Sequence, residues 1–125
     1  MTWLRWVVAV IGVLIGGWMT FDGSRALVKG DYVTPREGPY AGQLGPWSNL
    51  VRGAGLEPRS TPVKTVFVLF GLSWLLFAAA HALGASWAWP GLLALSLLSL
   101  WYLPVGTILS VLELVLLFLV RSRAP

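Results

Sequence analysis

Glu113 is the only acid in the apolar stretch "TILSVLELVLLFL", and the nearest downstream charge is Arg121. In a helix those eight positions place its carboxyl roughly 12 Å inside the end of the apolar run. An ionised carboxylate at that depth in hydrocarbon costs several kcal/mol unless it is paired or hydrated. Thr107, Ser110 and Glu113 recur every third residue, so they form a polar stripe expected to face protein rather than lipid. Arg5 lies near the start of the first apolar run and His81 near the end of the second. Either side chain could reach inward to satisfy Glu113. The group then has two readings: a buried pair that fixes helix register, or a protonatable site in a transport or redox step.

Other chemistries are thinly represented. The chain has no cysteine, which removes thiolate nucleophiles, disulfides and iron–sulfur ligation. Its single histidine, His81, cannot alone supply a bis-histidine haem or a three-ligand zinc site. No nucleotide loop, nucleophile elbow or metal-ligand spacing occurs. No cofactor or metal is expected, and a bound lipid or quinone is the one ligand class left open. Enzymatic activity is therefore disfavoured, with no catalytic residue assigned.

The elements that must position these groups follow from composition. Hydrophobic residues make up 57% of the 125 positions and charged residues 11%, against about 25% charged in soluble domains. This predicts a single integral membrane domain in contact with the lipid bilayer. Nine basic against five acidic residues give a net charge of +4. The bases cluster at the ends of the apolar runs and in one loop, which suits anionic headgroups. No basic cluster is dense enough for a nucleic-acid partner.

Residues 3–21 match the ~20 residues needed to cross a hydrocarbon core, and no small-x-small cleavage site follows them. Residues 64–84 form a second run that starts after Pro62 and closes at Gly84. Residues 87–120 as one helix would be roughly 51 Å long, well beyond the ~30 Å core. "LPVGT", residues 103–107, supplies a break. The expected architecture is all-α: a four-transmembrane-helix bundle with spans at about 3–21, 64–84, 88–102 and 105–120, and a partly ordered loop at 22–63. With both termini on one side, Trp3, Trp6, Trp87 and Trp89 form one aromatic belt and Trp18, Phe21, Trp101 and Tyr102 the other. Only Trp74 falls between them. Arg25, Lys29, Arg36, Arg52, Arg59 and Lys64 favour a cytoplasmic loop, while Arg5, Arg121 and Arg123 oppose it, so orientation stays open.

The loop contains Pro35, Pro39, Pro46, Pro58 and Pro62 together with several glycines, a mixture that favours defined turns over a floppy tether. In "DGSRALVKG", Asp22 or Ser24 could cap a helix that stops at Gly30, extending the first span or turning along the surface. In "GPWSNLVRGAG", Pro46 opens a short helix whose Trp47, Leu50 and Val51 share one face. One reading anchors the loop to lipid over the bundle end. The other uses Tyr32, Tyr40, Trp47, Leu50 and Val51 to dock a protein partner.

"GVLIG", with Gly12, Gly16 and the following Gly17, permits close helix approach, either inside the bundle or with another subunit. The combined expectation is a small accessory or structural subunit of a larger membrane complex. A homo-oligomeric carrier or channel using Glu113 is the alternative. The helix count and a first helix with Arg5 and glycines resemble the DoxX-like family of small four-helix membrane proteins, which implies membrane redox or lipid-related chemistry as a third reading. No further motif extends that resemblance.

Overall fold

The computed structural model describes residues 2–34, 39, 42–102 and 105–122, and among these it contains five α-helices and no strand. They are α1 (Thr2–Lys29), α2 (Trp47–Gly53), α3 (Thr61–Ala82), α4 (Ala88–Leu98) and α5 (Val105–Ser122).

The first helix continues past the apolar run through "DGSRALVK", taking the extension that the sequence allowed, and its 28 residues rise about 42 Å. The span is expected over 3–21 and the loop over 22–63, so the helix overruns that limit by eight residues and stops at the glycine that closes the optional extension. Gly30 has φ +95°, a left-handed conformation that glycine adopts without a Cβ penalty, and its N–H reaches the Ala26 carbonyl at 3.0 Å. Asp22 and Ser24 are thus interior helix residues, not caps. The third helix opens with Pro62 in its first turn and closes at Ala82, two residues before the expected limit.

The largest departure is α4. Expected over 88–102, it stops at Leu98 after 11 residues, a rise of about 17 Å. Beyond it the chain tightens into turns, with Tyr102 N–H on the Ser99 carbonyl at 3.1 Å and Thr107 N–H on the Tyr102 carbonyl at 3.1 Å. Those turns carry Trp101 and Tyr102 inward onto Phe67. Leu103 and Pro104 of the expected break lie outside the described residues.

The four longer helices pack in the order α1, α3, α4, α5 and back to α1, with α1 against α3 the most extensive contact. Their shared interior holds Val8, Ile15, Met19, Phe67, Trp74, Leu92 and Leu117. Outside, Val10, Leu14, Leu69, Leu72, Leu76, Leu112 and Val115 are exposed, so apolar side chains face outward as well as inward. α1 and α3 are long and apolar enough to cross a membrane, whereas α4 and residues Gly106–Val120 of α5 are apolar but shorter.

The α1–α3 contact is close because small residues line it. A methyl group on Gly16 would lie 2.7 Å from the Gly71 carbonyl oxygen and 2.7 Å from Trp74 Cβ. Gly12 and Gly23 likewise face Ala78 and Phe67, but Gly17 has nothing within 4 Å. Gly12 and Gly16 therefore serve packing within this chain, and Gly17 is outside that seam.

Candidate functional site

Glu113 and Ser110 are fully buried on the inner face of α5, as the polar stripe requires. Thr107, one turn earlier, is half-buried and donates its hydroxyl to the Leu100 carbonyl. The carboxyl of Glu113 sits between helices: a methyl group on Gly12 would lie 3.6 Å from its Oε2, and the same methyl would touch Trp74 and Ala78. Beside it Trp74 is fixed by an indole N–H donated to Ser99 Oγ at 3.0 Å.

The expected partnership with Arg5 or His81 is not made. Both Glu113 oxygens lack a hydrogen-bond partner among the described residues, as does Ser110 Oγ. The reason is axial position. Glu113 is level with Gly12 and Ala78, whereas Arg5 precedes Gly12 by seven residues, about 10 Å along α1. His81 is likewise three residues, nearly one turn, beyond Ala78.

Arg5 and His81 instead meet at the open end of the bundle. With Gly84, Ala85, Ser86, Trp89, Pro90 and Val120 they line a cavity of about 440 Å³. His81 is buried at 8% exposure, and its Nε2 has no hydrogen-bond partner among the described residues. Trp89 is half-buried and donates its indole N–H to the Leu117 carbonyl at 2.8 Å.

At the opposite end the loop closes over the helices. Tyr32 at 1% exposure and Trp47 at 5% pack on Phe67, with Trp101 and Tyr102 completing the aromatic cluster. The sequence reading offered Tyr32 and Trp47 as exposed docking or lipid-anchoring groups. Their rings face the protein instead, because the bundle end provides an aromatic floor. Val51 is half-buried, Leu50 is exposed, and Tyr40 lies outside the described residues.

Polar groups fasten this cap. The Asp22 carboxylate, buried within α1, accepts the Val33 N–H at 2.6 Å. Arg25 Nη1 donates to the Asp31 and Tyr32 carbonyls, both at 2.9 Å. Lys64 Nζ donates to the Gly30 carbonyl at 2.9 Å, and Arg59 bridges Asp31 Oδ1 at 3.0 Å and the Gly42 carbonyl at 2.8 Å. The Tyr32 hydroxyl donates to the Pro58 carbonyl at 2.8 Å. Burial, followed by the nearby Asp22 and Asp31 charges, pushes the Tyr32 phenol well above its ordinary pKa and holds it as a donor.

Several bases counted for orientation are therefore structural clamps. Asp22, the one acid at the end of the first apolar run, was the available signal for this network. No signal marked Ser99 as the partner of Trp74, since residues 25 apart in sequence meet only through the α3–α4 packing.

No protein-family model matches the chain, and neither a curated protein nor a solved structure is found to be similar to it.

Proposed function

We propose that this chain is a multi-pass membrane protein, a four-span bundle with both termini on one side, and that it works as a small homo-oligomeric carrier or channel in which Glu113 takes up and releases a proton. The carrying observation is the fully buried Glu113 carboxyl, whose two oxygens have no partner among the described residues. A carboxyl kept only to fix helix register is expected to hold a hydrogen bond or an ion pair. One left without either, packed in the seam against Gly12, is suited to exchange protons when a substrate or water reaches it. In this reading α4 crosses the bilayer together with the turn at 99–102, and local bilayer thinning accommodates its shortness. Close packing of α1 on α3 leaves a pathway to be formed between subunits.

Reconstitution tests this reading. Wild-type protein in liposomes is expected to support a proton- or ion-dependent flux that Glu113→Gln abolishes while the variant keeps its helical content and oligomeric size. Equal flux in the two proteins excludes a working role for Glu113.

A second reading, an accessory or structural subunit of a larger membrane complex, is favoured by Val33, Leu50 and Leu56, which the cap leaves exposed. It predicts that Leu50→Ser with Leu56→Ser releases a stoichiometric partner seen by native mass spectrometry after mild extraction.

A further inference from the structure

The cavity at the open end of the bundle has a chemistry of its own. Among the described residues Arg5 is the one charged group in its lining, and His81 and Ser86 add polar donors, while Pro90, Trp89 and Val120 form an apolar wall. No carboxylate among the described residues lines it. His81 is more than nine-tenths buried, yet its Nε2 has no partner among the described residues. A buried imidazole nitrogen in that condition is costly unless a ligand or water satisfies it.

Exposed Trp3, Trp6 and Trp87 lie on the same end of the helices as Arg5 and Ser86, and exposed tryptophans favour the headgroup level of a bilayer. The volume of about 440 Å³ falls within the ~300–1,000 Å³ range of small-molecule sites.

We propose that this cavity binds an anionic phosphate headgroup, with the Arg5 guanidinium as the charge partner, His81 as a second hydrogen-bonding group, and Trp89, Pro90 and Val120 against the glycerol and first acyl carbons. The site rests on the membrane reading above but not on any role for Glu113. Guanidinium pairs with phosphate through two parallel N–H donors, and an apolar wall beside that charge selects an amphiphile over a free ion.

The test is a titration of the full-length protein, in an uncharged detergent, with phosphatidylglycerol, phosphatidylcholine or inorganic phosphate, followed by native mass spectrometry. Phosphatidylglycerol is expected to be retained in preference to phosphatidylcholine, and Arg5→Gln to weaken that retention about tenfold, the value of one charge-assisted contact. Lys29→Gln, at the opposite end of α1, is expected to leave it unchanged. Ala85→Leu, which fills the cavity without altering charge, is expected to weaken it as well and keeps the proposal testable if Arg5→Gln does not fold. Retention of inorganic phosphate alone, lost in Arg5→Gln, supports the anion site and assigns it to a free ion. Equal lipid retention by wild type, Arg5→Gln and Ala85→Leu overturns the site. Because no flux is measured, failure here is distinguishable from failure of the Glu113 carrier.

Discussion

Gly12 of α1 makes room for Glu113 of α5. A methyl group added to Gly12 would stand 3.6 Å from Glu113 Oε2 and 2.8 Å from Ala78 Cβ, so the third helix and the carboxyl together occupy the space a side chain would take. The same seam continues at Gly16, where the obstruction is the backbone of Gly71.

This contact separates three neighbouring glycines. Gly16→Ala is expected to destabilise the protein by about 1–3 kcal/mol, because the obstructing carbonyl belongs to a helix and cannot rotate away. Gly17→Ala meets nothing within 4 Å and is expected to stabilise by up to about 1 kcal/mol through helix propensity. Gly12→Ala is expected to lie between them. Thermal unfolding in detergent checks the order, and equal midpoints for Gly16→Ala and Gly17→Ala contradict the seam.

Glu113 has the opposite sign. With neither oxygen partnered among the described residues, replacement by an apolar side chain of similar size removes a desolvation cost of about 1–3 kcal/mol. Glu113→Met is therefore expected to raise the unfolding midpoint while abolishing flux. A lowered midpoint means that the carboxyl has a partner in the membrane.

Much of this could be read from the sequence. Apolar runs gave helical class, and three-residue spacing put Ser110 and Glu113 on the inner face, because each depends on local periodicity. The end of α1, expected at residue 21, was misplaced because the polar "DGSRALVK" continues the helix beyond the apolar run. The pairing of Glu113 with Arg5 or His81 was misread, since it depends on axial register between helices that no single run encodes. Tyr32 and Trp47 were misread for another reason. Aromatics between rigid turns look alike whether they face a partner, lipid or the chain's own bundle, and Phe67, which decides the matter, is indistinguishable from any apolar residue of its run.

The cap depends on a buried acceptor. Asp22→Ala leaves the Val33 N–H without its 2.6 Å partner and is expected to cost about 1–3 kcal/mol, appearing first as protease cleavage within the loop. Asp22→Asn keeps a carbonyl acceptor and is expected to restore most of the protection. If Asp22→Ala resists protease as wild type does, other contacts hold the cap.

Tyr32 makes the cap sensitive to alkali. Its phenol is raised above the ordinary value by burial and by the Asp22 and Asp31 charges, so folding favours the protonated form. A raised pKa contributes stability that is fully present below the unfolded value of about 10 and is lost as pH climbs above it. Ionisation would also turn the donor to the Pro58 carbonyl into a buried anion. Loop protection against protease or hydrogen exchange is therefore expected to hold through neutral pH and to fall above about pH 10. Tyr32→Phe is expected to cost about 1 kcal/mol at neutral pH for the lost hydrogen bond and to remove this residue's share of the alkaline loss. The quantity to compare is the difference between the two pH profiles, because it cancels the other tyrosines. Parallel profiles above pH 10 mean that Tyr32 can ionise in place, and that its ring packing on Phe67 and Trp47, not its hydroxyl, holds the cap shut.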